Sequence, residues 1–333
     1  MSTSENAAKP ASAGTGAAHP PKRIDALRAA QLYYQQDLTM EAIAHELGTS
    51  RSSVSRLLTH ARDIGLVEIN VRSPLDQSSH VQSDLYQRFG ITTHIVPVGG
   101  QTSEVDRLER VAISAARLLG QFVDSNMIIG VAWGSTVSAI SRHLVVKQTH
   151  NTEIVQLNGA GNTQTTGIDY SSEILQRFGV AFGAKVQQFP VPAFFDRSST
   201  KDALWAERST KRVLDLQSRM DVAVFGLGSP LAEVPSRVYI GEYLEPADYR
   251  SLRESGVVGD VATVFYRADG SSDRIPMNDR SSGTPLGLLR AAPRRVCVSA
   301  GVSKLPALLG ALAARLVTDL IIDETTARAL LNS

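Results

Sequence analysis

The stretch MIIGVAWGST, Met127 to Thr136, reads as a short apolar strand that ends near Gly134, where Ser135 and Thr136 open a helix. Beyond residue 90 this strand-to-helix unit recurs, which marks an α/β domain with a largely parallel sheet. Strands are expected at Thr93–Val98, Met127–Ala132, Glu153–Leu157, Lys185–Phe189, Val222–Gly226, Ala262–Tyr266, Arg295–Ser299 and Asp319–Ile322. Helical periodicity fills the intervals Ser103–Phe122, Thr136–Leu144, Ser171–Phe182, Ser199–Leu216, Pro246–Glu254, Lys304–Leu316 and Glu324–Leu331.

In such sheets ligands collect where strands end and helices begin, because free backbone amides and helix amino termini favour anions there. Four loops suit that role. Gly134, Ser135 and Thr136 offer hydroxyls and amides together, a phosphate-like cradle whose plainer reading is a helix cap. Asn158-Gly-Ala-Gly-Asn-Thr163 is small enough for a ligand to approach Asn158 and Gly159, though an ordinary flexible loop fits equally. Gly226-Leu-Gly-Ser-Pro230 places Gly228 at a close-approach turn. Lys304, after Ser299-Ala-Gly-Val-Ser303, can join a helix terminus in holding an anion, and Asp269 can accept hydrogen bonds from sugar hydroxyls. As plainer alternatives, Lys304 is a solvated helix-end charge and Asp269 a turn residue. Together the loops suggest a polyhydroxylated anion.

Toward the amino terminus the pattern becomes wholly helical. Apolar residues recur from Arg23 to Gln36, Thr39 can cap a second short helix at Met40–Leu47, and Gly48 supplies a tight turn. A third helix, from about Ser50 to Arg62, buries Val54, Leu57, Leu58 and Ala61. Its outward residues are Arg51, Ser52, Ser53, Ser55 and Arg56, with no acid between Ser50 and Arg62. Helix, short Gly turn, helix is a DNA-binding pattern, in which small hydroxyl side chains let the backbone approach phosphates and arginine forks guanine. Thr39, Ser50, Arg51, Ser52, Ser53, Ser55 and Arg56 are the candidate DNA contacts; the plain alternative is a three-helix bundle with solvated arginines. Tyr33 and Tyr34 read as core packing before phosphate contact. Leu66–Val71 alternates as a wing strand would, and Arg72-Ser-Pro-Leu-Asp76 breaks the pattern. The expected organisation is a disordered tail at 1–21, a helix-turn-helix domain at 22–72 and an α/β domain at 76–333.

Composition narrows the function. A formal net charge of +1 over 333 residues excludes a globally basic nucleic-acid coat, so any DNA contact must be local. Cys297 is the single cysteine, which rules out disulfide frameworks and cysteine-built metal sites and suggests a reducing cytoplasm. No secretory signal or bilayer-length apolar run is evident, and the expectation is a soluble protein with no membrane, metal or cofactor.

These residues resemble the SorC/DeoR-type bacterial transcriptional regulators over nearly the whole chain past residue 22. The resemblance rests on Leu38–Leu58, Ala61-Arg62 and Gly65–Ile69, then on Gly130–Thr136, Gly226–Ser229, Gly259-Asp260, Ala268–Gly270, Gly301–Lys304 and Leu320–Ala327. It implies a sugar-binding domain related in fold to ribose-phosphate isomerases and glucosamine-phosphate deaminases, used as a sensor. It also implies sugar or sugar-phosphate effectors and homodimers or homotetramers on operator DNA. Matched position by position, Ser135, Thr136 and Lys304 correspond to effector-anion contacts and Asp269 to an acid that meets sugar hydroxyls. Met40 stands where that family often has Gln, and Ala160 where it often has Gly. The alternative is an active sugar-phosphate isomerase or deaminase carrying a DNA-binding head. Such catalysis needs a tuned carboxylate or histidine, and none of the seven histidines falls in the four loops. The expected class is therefore a regulator without catalytic residues.

Overall fold

In the computed structural model, which describes residues 20–67, 77–230, 232–233 and 236–333, the chain divides into two units, Met1–Ser73 and Pro74–Ser333. Residues 1–19 of the expected tail and residues 68–71 of the expected wing lie outside the described residues. Residues 20 and 21, assigned to the tail by sequence, instead open a helix.

Three helices build the smaller unit: α1 (Pro20–Tyr34), α2 (Met40–Glu46) and α3 (Arg51–Asp63). Proline suits the first turn of α1, where an amide proton has no helical partner. The Thr39 hydroxyl accepts the Ala42 amide at 3.2 Å and Ser50 accepts that of Ser53 at 3.2 Å, so both later helices begin on a side-chain cap. Gly48 turns the chain between them with φ +60°, a conformation costly for a residue with a Cβ. Ala26, Ala29 and Ala30 on α1 let the helices approach closely, and Ile43, Val54, Leu58 and Ala61 complete the core.

The larger unit begins with α4 (Gln77–Phe89) and β1 (Thr92–Val96). It continues through α5 (Glu104–Phe122), β2 (Ile128–Val131), α6 (Ser135–Ser141), β3 (Glu153–Gln156), α7 (Ile168–Phe182) and β4 (Lys185–Gln187). Next come α8 (Ser198–Trp205), α9 (Arg208–Ser218), β5 (Val222–Gly226), the one-turn α10 (Arg237–Ile240) and α11 (Pro246–Glu254). The last part holds β6 (Val257–Val261), β7 (Val264–Arg267), α12 (Pro276–Arg280), α13 (Leu286–Ala291), β8 (Arg294–Ser299), α14 (Leu305–Ala313), β9 (Asp319–Asp323) and α15 (Glu324–Leu331). Seven strands form one sheet in the order β1-β9-β8-β5-β2-β3-β4, every neighbour parallel.

Helices cover both faces of the sheet, as a parallel sheet requires. Along β2, Ile129 and Val131 face the side of α5, α6 and α7, while Ile128 packs toward the other; along β5, Val222 and Val224 alternate with Ala223 and Phe225. Full burial of Phe178 and Phe182 on α7 stabilises by about 2–3 kcal/mol each. Cys297 on β8 is one more core residue, its thiol pushed up to about 12 by burial.

Two sequence expectations are corrected. Ser199–Leu216 is two helices, α8 and α9, rather than one. Ala262–Tyr266 is no strand of the main sheet; β6 and β7 form a separate antiparallel pair. Ala262 (φ +47°) and Thr263 (φ +67°) occupy the two-residue tip, which demands left-handed backbone at both positions. Thr is β-branched, so the tip is strained by an amount on the order of 1–3 kcal/mol per residue and needs outside support. Ser281 Oγ donates to the Thr263 carbonyl at 2.8 Å, the Thr263 amide donates to Asp260 Oδ2 at 3.2 Å, and Gly283 lies so close that a Cβ there would stand 2.1 Å from the Ala262 carbonyl.

Candidate functional site

Strand connections run from β2 outward through β3 to β4 on one side, and from β5 through β8 to β9 on the other. The loops after β2 and β5 therefore diverge, which opens a crevice at the carboxyl ends of those strands. A cleft of roughly 440 Å³, open solvent at its mouth included, occupies this position.

One wall is the turn after β2. Gly134 adopts φ +147°, and its carbonyl accepts the Ser138 amide at 2.8 Å as the first bond of α6. Ser135 is half-buried and Thr136 buried, and the amides of this first turn have no helical acceptor. The facing wall is Gly226-Leu227-Gly228, where a Cβ on Gly226 would collide with Thr136 and one on Gly228 would stand 1.8 Å from Asp260 Oδ1. The hairpin tip, Ala262 and Thr263, and the segment Ser236-Arg237-Val238 complete the lining. Trp133 stacks on Tyr243 at 5.1 Å and donates its indole proton to the Gly159 carbonyl at 2.8 Å, while the Arg237 guanidinium lies 4.1 Å over the Tyr170 ring.

The electrostatics centre on Asp260. It is 3% exposed, and burial pushes its carboxyl up to about 6 against the pull of the Thr263 amide, the Tyr239 hydroxyl facing it and the Lys304 ammonium. Its Oδ1 and the Oδ1 of Asn158, 1% exposed, make no hydrogen bond. Both residues line the cleft, the nearby Tyr239 hydroxyl is likewise unpaired, and buried acceptors of this kind are costly until donors reach them. Lys304 is buried too, its pKa lowered by burial and partly restored by Cys297, Glu104 and Asp260. The turn that carries it is tied to Asp323, whose Oδ2 accepts the Gly301 amide at 3.0 Å and whose Oδ1 binds Arg107 at 2.7 Å.

Of the sequence candidates, Gly134, Ser135, Thr136, Asn158 and Gly228 come together around the cleft. Gly159 lies behind it, its amide on Ser282 Oγ at 3.0 Å and its carbonyl on Trp133. Lys304 is not among the lining residues and acts on the cleft through Asp260. Asp269 is elsewhere: it is an exposed turn residue accepting the Ser271 amide at 2.9 Å. The reason is the hairpin. A parallel strand would deliver its carboxyl end to the cleft, but in an antiparallel pair the tip reaches it and Asp269 sits at the opposite end. The acid in the cleft is Asp260, whose signal was the Gly259-Asp260 pair. Arg237, the cleft's cation, had no sequence signal beyond its charge.

On the smaller unit Arg51, Ser52, Ser55 and Arg56 are exposed along α3 and Ser53 is half-buried. Thr39 and Ser50 spend their hydroxyls as caps. Arg51 Nε lies 3.0 Å from Glu41 and Arg56 donates to Ser53 Oγ at 3.3 Å. Tyr33, Tyr34, Thr39, Met40 and Arg51 share a groove on this face.

Residues 73–332 match the family model described as "Putative sugar-binding domain". The chain is 32% identical over 312 residues to the deoxyribonucleoside regulator of Bacillus subtilis (strain 168), covering 92% of this chain and 96% of that one. A crystal structure of a domain of "a possible sugar-binding transcriptional regulator" from Arthrobacter aurescens TC1 is 54% identical and superposes with a TM-score of 0.73 over 78% of this chain and 100% of that one. The full-length sorbitol operon regulator SorC of Klebsiella pneumoniae shares the fold with a TM-score of 0.70 at 24% identity, over 93% of this chain and 99% of that one.

Proposed function

We propose, from the premise that this chain belongs to the sugar-binding-domain family of SorC/DeoR-type transcriptional regulators, that a sugar phosphate seated in the β2/β5 cleft controls how α3 engages operator DNA. The chain is a transcriptional regulator of that family. The observation that carries the effector reading is the pair of unpartnered buried acceptors, Asn158 Oδ1 and Asp260 Oδ1. Sugar hydroxyls supply the donors these atoms lack. Ser135, Thr136 and the first-turn amides take the phosphate, and Arg237 adds charge at the rim.

On the DNA side, Arg51 and Arg56 contact base edges or phosphates while Thr39, Ser50, Ser52, Ser53 and Ser55 let the backbone approach. The working assembly is a homodimer or homotetramer in the cytoplasm that spaces two copies of α3 by a helical turn of DNA or a multiple of it. The effector must bind two arrangements with different affinity, otherwise it regulates nothing. The cleft acts as a sensor because the relatives this chain matches are transcriptional regulators. Asp260, the single carboxyl among its described lining residues and raised to about 6, is the group through which any isomerase or deaminase chemistry would have to run.

A thermal-shift screen of pentose, hexose and polyol phosphates, followed by operator selection from a random duplex pool with and without the hits, tests the proposal. A stabilising sugar phosphate whose effect is lost in Arg237→Met and Asp260→Asn is the expected result. Release of ammonia or aldose–ketose exchange that disappears in Asp260→Asn would overturn the sensor reading.

A further inference from the structure

A second cavity, about 670 Å³ with its open mouth, is lined among others by Lys201, Trp205, Val264, Asn278, Ser281 and Leu286. Lys201 and Trp205 are four residues apart on α8, so ammonium and indole share one helical face. The indole is held edge-on by Phe189 at 5.5 Å and Phe195 at 5.6 Å. The ammonium is fixed as well, donating to the carbonyls of Asn278 at 3.4 Å and Ser281 at 3.3 Å. An ammonium carries three protons, and these two long bonds leave one to aim into the cavity. Among the described residues no carboxylate stands within ion-pair distance of Lys201; Asp202 and Asp279 act on it only from farther off, and burial lowers its pKa.

We propose that this cavity is a binding site for a small aromatic carboxylate, its ring against Trp205 and its anionic group on Lys201. Val264, Pro285 and Leu286 give the ring apolar surroundings, and a fixed cation beside them selects a single negative charge. The site shares a wall with the β2/β5 cleft. Ser281 Oγ, at its edge, lies 3.1 Å from Thr263 Oγ1 and bonds the Thr263 carbonyl, and Thr263 lines the cleft. A ligand that shifts Ser281 therefore presses on the strained hairpin tip, and by reciprocity the cleft's ligand alters affinity here by the same factor.

Isothermal titration of the full-length protein with 2-naphthoate, benzoate and uncharged naphthalene-methanol tests the assignment without any sugar ligand. Saturable binding of 2-naphthoate at about 1 mM or tighter is expected, with at least a tenfold loss in Lys201→Met, retention in Lys201→Arg and no change in Arg237→Met. Absence of saturable binding to either carboxylate, equal affinity in Lys201→Met, or loss in Arg237→Met would overturn it. Equal affinity would leave Lys201 as a cap on α12, and loss in Arg237→Met would place the aromatic acid in the sugar cleft.

Discussion

Replacing Asp260 by Asn removes the buried carboxyl at the centre of the cleft while keeping its shape. The native group holds its proton up to about pH 6, whereas an unfolded aspartate releases it near 3.9. Between those values the native state binds more protons than the unfolded chain, so stability falls as pH rises and reaches a floor above pH 6. About two pH units at 1.36 kcal/mol each put this penalty near 3 kcal/mol in the ligand-free protein. The carboxamide oxygen that replaces the carboxylate can still accept the Thr263 amide, so the substitution should recover most of that loss. Lys304 loses one of three partners, and the net gain falls to roughly 2 kcal/mol. For a unit of this size that is a rise of about 4–8 °C in Tm at pH 8 and almost none at pH 4. Both tryptophans, Trp133 and Trp205, lie in the larger unit, so their fluorescence during urea unfolding reports on it alone. A variant less stable than the parent at pH 8, or equally stabilised at both pH values, would refute the reasoning.

Four further outcomes follow from the same geometry. Arg56→Ala should weaken operator binding by up to roughly a hundredfold in fluorescence anisotropy, with an unchanged melting curve. Glu41→Gln frees Arg51 from its 3.0 Å partner, so binding to random duplex should tighten and its dependence on log salt should steepen by about 0.9; an unchanged slope would show that Arg51 contacts no phosphate. Arg107→Met leaves Asp323 buried without its cation, at a cost of about 3 kcal/mol in urea denaturation, since the Gly301 and Thr326 amides still hold the carboxylate. Gly228→Ala drives a methyl into Asp260 Oδ1, so sugar-phosphate thermal shifts should vanish while DNA binding by the smaller unit persists.

What the sequence revealed follows from how local each signal is. The turn after β2 was legible because Gly134, Ser135 and Thr136 form a contiguous strand-to-helix junction, and the cap on α2 because Thr39 acts on a residue three positions away; the Ser50 cap on α3 was not, since Ser50 read as the helix's own first residue. Strand order was not legible, being decided by which loops cross which face. The Ala262–Tyr266 run looked like another parallel strand because its β-rich composition is the same in either direction; without β6 as partner, nothing local announced the hairpin. That one reversal moved the acid from Asp269 to Asp260. Arg237 was missed for a different reason: its value lies in Tyr170, 67 positions earlier, whose ring it covers.

The walls of the cleft come from residues 132–137, 226–228 and 260–263, stretches that meet only because the strand connections diverge from β2 and β5. A metabolite lodged there would work as a removable stitch across the two halves of the sheet, stabilising the state that holds it. Among the described lining residues only Gly226 belongs to a strand of the main sheet. Descendant sequences can thus acquire a taste for a new sugar by altering the tip and the Ser236–Val238 rim, leaving the scaffold and its helical head untouched.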